Sequence, residues 1–196
     1  REGKWLGWFR DMFSYTGDRQ PSMIARLMGL ACYIFGLSRF TMRQINLIFY
    51  IILILSIYYL GKELFDKKTG FWGALISASM PLLISHSKRG DLHFFETAIF
   101  ITSILMFVKS NRFKVRSFSL FFGLIFGLSL HTHETILLYL TLLSAFIFAD
   151  VLLNGDSTQK KNAALAYIII AFFFIAFYVP ALIYPVGEKA MRLYPR

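Results

Sequence analysis

Long apolar runs separated by short polar segments dominate the chain. Charged residues are almost absent from six of these runs, which cover residues 43–61, 71–85, 94–108, 118–130, 136–153 and 163–184. A run of about 20 apolar residues matches the hydrocarbon core of a bilayer, where a helix satisfies all of its own backbone hydrogen bonds. The pattern therefore predicts an all-α fold, a polytopic transmembrane helix bundle of about six spans within residues 43–185.

The segments that flank this bundle have a different pattern. Residues 1–20 mix aromatic with charged residues, which is typical of a helix in the membrane interface. Pro21 opens a short predicted helix that we expect to be interfacial or re-entrant. Residues 1–42 are thus predicted to form an outer-face juxtamembrane segment. Residues 186–196 are predicted to form an outer-face tail, and the absence of an initial Met leads us to expect a piece of a longer protein.

The composition changes the picture by excluding several classes of protein. Hydrophobic residues make up 57% of the chain and charged residues 16%, which is more apolar than an ordinary soluble domain. A net charge of +10 would suit nucleic acid in a soluble protein, but these Lys and Arg residues lie mainly between the apolar runs. We therefore predict no nucleic-acid partner. The single cysteine, Cys32, excludes an internal disulfide and a cysteine metal cluster.

The loops between the runs differ in charge and so predict a topology. If every run spans, two cations, Lys88 and Arg89, fall on one side of the membrane, and nine fall on the other. An excess of Lys and Arg marks the cytoplasmic side. The segments 87–93 and 131–134 are therefore predicted to share the non-cytoplasmic face. The nine cations of the opposite side are Lys62, Lys67, Lys68, Lys109, Arg112, Lys114, Arg116, Lys160 and Lys161.

The segment between the second and third runs is dense in ionisable residues. It contains Lys88, Arg89, Asp91 and His93. Arg offers a bidentate fork for phosphate and Lys a point charge, so this segment is a candidate anion site with an acid beside it. The alternative is a solvated loop whose Lys and Arg side chains extend to the lipid headgroups.

A second polar segment joins the fourth and fifth runs and contains His131, His133 and Glu134. Two His residues at this spacing do not share a helix face, so the segment is not the His-Glu-x-x-His zinc motif. A metal site built from one His with Glu134 remains open. So does a helix cap at Thr132 that faces a water-filled cavity.

Asp18 and Arg19 form a third group, for which a turn before the short helix is the alternative reading. The chain has no soluble catalytic motif such as a nucleophile elbow or a phosphate-binding glycine loop. Gly123 and Gly127 form a Gly-x-x-x-Gly pattern, which predicts close packing of their helix.

The order of these features resembles the bacterial and archaeal branch of the dolichyl-phosphate-mannose protein mannosyltransferase family. That family belongs to the GT-C membrane glycosyltransferases, which include the lipid A aminoarabinose transferases. The resemblance covers residues 18 to 135. It rests on Asp18-Arg19-Gln20-Pro21, Tyr33-Ile34-Phe35-Gly36, Arg43-Gln44-Ile45-Asn46, Tyr59-Leu60-Gly61-Lys62, Gly70-Phe71-Trp72-Gly73, Met80-Pro81, Ser87-Lys88-Arg89 with Asp91, and His131-Thr132-His133-Glu134-Thr135.

The resemblance implies a multi-helix enzyme that moves a sugar from a polyprenyl-phosphate carrier to a lipid, glycan or protein at the outer face. It places Lys88 and Arg89 near the carrier phosphate and Asp91 at the second acidic position of the family. Glu2 would be a remnant of the first acidic motif. His133 stands where many relatives carry Lys, and its charge would depend on pH.

From these observations we expect Asp91 and Glu2 to be catalytic. The expected substrate-binding residues are Lys88, Arg89, His93, Asp18, Arg19, His131, His133 and Glu134. No cofactor is certain, and a divalent metal is an open alternative. The resemblance implies a bacterial inner membrane or an archaeal plasma membrane.

Two other functions remain open from the sequence. A transporter or flippase for a lipid-linked or anionic substrate would usually place ionisable groups near the bilayer midplane, often in repeated halves. The chain has no internal repeat, and its ionisable clusters fall at one predicted face. A purely structural membrane subunit is the third alternative.

Overall fold

Helices account for all the regular secondary structure in residues 23–36, 38–89, 92–130 and 134–183, which the computed structural model describes. The all-α prediction is confirmed for these residues, which contain no strand. The eight helices are α1 (Met23–Phe35), α2 (Arg39–Leu64), α3 (Lys67–Ser79), α4 (Pro81–Arg89), α5 (Leu92–Lys109), α6 (Arg116–Ser129), α7 (Glu134–Asn154) and α8 (Ser157–Ile183).

Two of these helices contain stretches that are long and apolar enough to cross a bilayer. They are Arg43–Leu64 in α2 and Ser157–Ala176 in α8, and shorter apolar stretches cover Arg116–Ser129 and Ser144–Asn154. The predicted number of about six spans is therefore not confirmed and stays a prediction. α2 exposes apolar side chains that a bilayer would cover, among them Leu47, Ile48, Ile51 and Leu55.

The predicted run 71–85 is not one helix, which corrects the sequence analysis. It divides at Met80, whose extended backbone (ψ 117°) separates α3 from α4. Pro81 causes the division, because proline has no N–H and disfavours a helical conformation in the residue before it. Pro81 then opens α4, where its fixed φ suits the first helical position.

α2 and α3 form an antiparallel hairpin with very close backbones. A Cβ atom added to Gly61 would lie 2.8 Å from the Cα atom of Gly70. At the other end of the hairpin the Tyr50 hydroxyl donates a hydrogen bond of 2.6 Å to the carbonyl oxygen of Ala78. The hairpin turn is fixed by Asp66, the N-cap of α3.

α2 and α5 pack in parallel. The rings of Phe49 and Phe95 meet at 4.9 Å between centroids, and the hydroxyls of Ser56 and Thr102 are 2.9 Å apart. Both pairs have the same separation of 46 residues, so the two helices keep one register along their contact.

α6 and α8 are also parallel and closely packed. A Cβ atom on Gly123 would lie 2.6 Å from the carbonyl oxygen of Ala166, and one on Gly127 would lie 2.7 Å from the ring of Phe173. The close packing predicted from Gly-x-x-x-Gly is confirmed. Both glycines lie on the face of α6 that contacts α8.

A turn that buries Phe113 joins α5 to α6. Asn111, Arg112 and Phe113 have positive φ angles of 48°, 55° and 66°. The Phe113 ring is fully buried, and the Nδ2 atom of Asn162 donates a hydrogen bond of 2.8 Å to the Phe113 carbonyl oxygen. The unusual backbone is thus held by the beginning of α8.

Candidate functional site

The helix ends that flank both polar segments selected from the sequence lie at one end of the helix bundle. α4 ends at Arg89 where α5 begins, and α6 ends at Ser129 shortly before α7 begins at Glu134. α5 and α6 are joined by the short turn around Phe113, so the beginning of α5 and the end of α6 point the same way. We call this the site end, and it includes the first turns of α2, the whole of α4 and the first turns of α5 and α7.

The structure places four of the predicted site residues. Lys88 was expected between two helices, but it lies in the last turn of α4, where it is exposed, and Arg89 is the last residue of that helix. His93 is the second residue of α5, and Glu134 is the first residue of α7, as expected for a helix that opens there. The remaining predicted residues lie outside the described residues, namely Glu2, Asp18, Arg19, Asp91, His131 and His133.

The break before Pro81 gives the site end its shape. Met80 N–H bonds to the carbonyl oxygen of Ser77 at 3.3 Å, and the Ala78 carbonyl accepts the Tyr50 hydroxyl instead of continuing a helical ladder. The Tyr50 ring also stacks on Phe94 of α5, with centroids 6.3 Å apart. Tyr50 of α2 therefore contacts both α3 and α5, the helices that precede and follow α4, on which Lys88 lies.

An apolar cavity of about 230 Å³ lies beside this break. α2, α4 and α5 all contribute to its wall, and only His86 and Thr97 among its lining residues carry polar side chains. His86 lies two residues before Lys88, so the cavity and the exposed cation share one short helix. The lining residues are Leu53, Met80, Leu82, Leu83, His86, Phe94 and Thr97.

Two buried polar residues at the site end were missed by the sequence analysis. Glu96 of α5 is 7% exposed and Asn46 of α2 is 5% exposed. A carboxyl group within an apolar helix is costly to bury and commonly marks a functional position. Glu96 interrupts the beginning of an apolar run, and that interruption is the sequence signal that could have identified it.

A metal site is not formed by the residues that the structure describes. No group of three His, Cys, Asp or Glu side chains is close enough there to hold a metal ion. The open alternative of a metal held by one His with Glu134 depends on His131 or His133, which lie outside those residues.

Comparison with known proteins assigns a family. The profile of the family described as dolichyl-phosphate-mannose-protein mannosyltransferase matches residues 19–184. Searches of curated proteins and of solved structures gave no match. The match covers most of the chain, including both polar segments of the site end, and it confirms the resemblance carried by the sequence motifs. The chain therefore belongs to the dolichyl-phosphate-mannose-protein mannosyltransferase family.

Proposed function

We propose that the protein transfers a sugar from a polyprenyl-phosphate carrier to a lipid, glycan or protein acceptor at the non-cytoplasmic face of the membrane. The family match across residues 19–184 carries this proposal. The family description names a lipid-linked mannose and a protein acceptor, which supports a lipid-linked sugar as the donor class.

The chemistry of the site end suits a donor with an anionic head and an apolar chain. Lys88 is exposed at the end of α4, where it can meet a phosphate, and the apolar cavity lies along the same helix. The cavity of about 230 Å³ is smaller than the roughly 300–1,000 Å³ of a site that encloses a whole drug-sized ligand. It therefore suits one part of a long chain, with the remainder in the bilayer.

The reaction requires a base and a cationic site for the leaving group. A bond forms between the acceptor oxygen and the anomeric carbon of the sugar, and the bond from that carbon to the phosphate oxygen breaks. In our proposal Asp91 accepts the proton of the acceptor hydroxyl, and Lys88 and Arg89 stabilise the polyprenyl phosphate as it leaves. The sequence resemblance supports these roles, and the exposure of Lys88 at the end of α4 supports its part.

Sugar transfer by the full-length protein in proteoliposomes tests this function. Wild type, Lys88→Gln, Lys88→Arg and Asp91→Asn would be supplied with radiolabelled polyprenyl-phosphate sugars, including the mannose donor. Lys160→Gln is the matched control, because Lys160 is exposed at the opposite end of the bundle. We expect Lys88→Gln to lower kcat/KM by about 10- to 100-fold, the value of a hydrogen bond to a charged group, and Lys88→Arg to retain more activity.

The results separate the proposed enzyme from the transporter that the sequence left open. The glycosyltransferase would be supported if wild type consumes one donor, Asp91→Asn loses this activity and Lys160→Gln retains it. A donor that changes leaflet without losing its sugar would instead identify a flippase. If the Lys88 and Lys160 substitutions change kcat/KM equally, Lys88 does not bind the donor.

A further inference from the structure

Asn46 has a buried side-chain oxygen that makes no hydrogen bond within the described part of the chain. The residue is 5% exposed, and its Oδ1 atom has no hydrogen-bond partner among the described residues. A buried polar atom without a partner costs about 1–3 kcal/mol, so such atoms are rare unless they have a use. Ile45 and Phe49 of the same helix pack against an apolar core cluster that includes Phe94 and Phe95. An apolar residue would suit this position better if packing were its only role.

The register between α2 and α5 gives the position of this amide in the bundle. The contacts of Phe49 with Phe95 and of Ser56 with Thr102 share a separation of 46 residues. Asn46 lies one helical turn before Phe49 on α2. The same separation of 46 residues therefore places it level with Leu92, the first residue of α5. Asn46 therefore lies beside the junction between α4 and α5, where Lys88 is located.

A second polar residue on α2 provides an internal comparison. Ser56 is also buried, at 4% exposure, and its Oγ atom lies 2.9 Å from the Oγ1 atom of Thr102. The α2–α5 interface thus satisfies a buried polar group away from the site end. At the site end the same interface leaves the Oδ1 atom of Asn46 without a hydrogen-bond partner in the part of the chain that the structure describes.

We propose that Asn46 is a substrate-binding residue that hydrogen-bonds a hydroxyl group of the donor sugar. The inference rests on the proposed function, which places the carrier phosphate at Lys88 and so brings the attached sugar to the junction beside Asn46. A sugar hydroxyl can both donate and accept a hydrogen bond, as an amide can. A few buried polar groups in an otherwise apolar wall commonly fix the orientation of a ligand in this way.

If this assignment is correct, Asn46→Leu should lower activity without lowering stability. Asn46→Leu removes a polar group that has no described partner, so the full-length protein should keep or raise its Tm. Its kcat/KM for the polyprenyl-phosphate mannose donor should fall about tenfold, as expected for the loss of one hydrogen bond to substrate. Ser56→Ala is the control, because it should lower Tm without changing kcat/KM of the folded protein.

Monodeoxy analogues of the donor sugar identify the hydroxyl and provide a second test. With wild type, one analogue should lose about as much kcat/KM as Asn46→Leu loses with the parent donor. With that analogue, Asn46→Leu or the smaller Asn46→Ser should cause no further loss. If the substitutions slow every analogue as strongly as the parent donor, Asn46 does not bind a sugar hydroxyl.

Failure of this inference is distinguishable from failure of the proposed function. If wild type transfers sugar and Asn46→Leu has the same kcat/KM, only the assignment of Asn46 is wrong, and its amide has a structural role. If wild type transfers no sugar from any polyprenyl-phosphate donor, the proposed function is wrong and the assignment falls with it.

Discussion

The Tyr50 hydroxyl lies 2.6 Å from the carbonyl oxygen of Ala78 and donates a hydrogen bond to it. This bond crosses from α2 to the last turn of α3, next to the break before Pro81. Because the helix breaks at Met80, the Ala78 carbonyl lacks the N–H four residues later that would pair with it in a continuous helix, and an apolar surrounding makes an unsatisfied carbonyl costly. Tyr50 therefore stabilises the broken geometry that separates α3 from α4.

Replacing Tyr50 with Phe tests this relationship. Tyr50→Phe keeps the ring that stacks on Phe94 and removes the donor to Ala78. We expect a loss of about 1 kcal/mol in the free energy of unfolding, measured in detergent by denaturant titration. The loss should shrink in a Pro81→Ala background, where a continuous helix can supply the missing N–H. An equal loss in both backgrounds would show that the bond does not compensate for the proline.

Close packing between α6 and α8 should be sensitive to a single methyl group. Gly123→Ala would place a Cβ atom 2.6 Å from the backbone oxygen of Ala166, so one helix must move. We expect a destabilisation of about 1–3 kcal/mol in thermal unfolding of the purified protein. Gly73→Ala is the control, because its Cβ atom would meet only an ordinary contact at 3.7 Å and alanine favours a helix. A neutral Gly123→Ala would contradict the packing described here.

Several features of the fold could be predicted because they depend on local sequence. The apolar runs predicted helices, and Gly123 and Gly127 predicted the close contact of α6 with another helix. The position of Glu134 at the beginning of α7 also followed from a polar segment between apolar runs. In each case the prediction needed only neighbouring residues along the chain.

Other features depend on tertiary contacts that the sequence pattern does not contain. Proline in an apolar helix is compatible with a kink or with a break, and the Tyr50 bond that stabilises the break comes from another helix. Asn46 and Glu96 became candidates only when their burial was known. Helices apolar on every face have no polar side to indicate which residues point inward, so sequence periodicity could not reveal this burial.

The cap of α3 should give a stability that depends on pH. The backbone N–H of Thr69 donates to the Oδ1 atom of Asp66, and this bond holds the pKa of the carboxyl below its usual value of about 3.9. A lowered pKa means that the stabilisation is present above the usual value and is lost as the pH falls through the folded-state pKa. Asp66→Ala should lower Tm at neutral pH.

Asp66→Asn provides the pH control for this cap. Asparagine is an effective N-cap without a titratable group, so its Tm should follow wild type at neutral pH more closely than Asp66→Ala does. Wild type should then lose Tm relative to Asp66→Asn as the pH falls below about 4. Parallel curves for the two proteins over this range would mean that the charge of Asp66 does not contribute.

The turn before α6 should depend on a side chain from α8. The Nδ2 atom of Asn162 donates to the carbonyl oxygens of Phe113 and Lys114, at 2.8 and 3.3 Å. Asn162→Ala leaves a buried carbonyl without this donor, and we expect a loss of about 1–3 kcal/mol in the free energy of unfolding. Lys161→Ala, at an exposed neighbouring position, should change stability little. Equal stabilities of the two variants would exclude the described role of Asn162.

The arrangement of the helices makes a prediction about the two faces of the membrane. Lys88 lies at the site end, and Lys68 and Lys161 are exposed at the beginnings of α3 and α8, which lie at the opposite end. Single cysteines at these positions, in a Cys32→Ala background, would be treated with a membrane-impermeant maleimide in intact cells. The excess of Lys and Arg at the end opposite Lys88 predicts that Lys88→Cys reacts directly and that the other two react only after permeabilisation. If all three react alike, the site end is not confined to the outer face, and an acceptor there could not be reached from outside the cell.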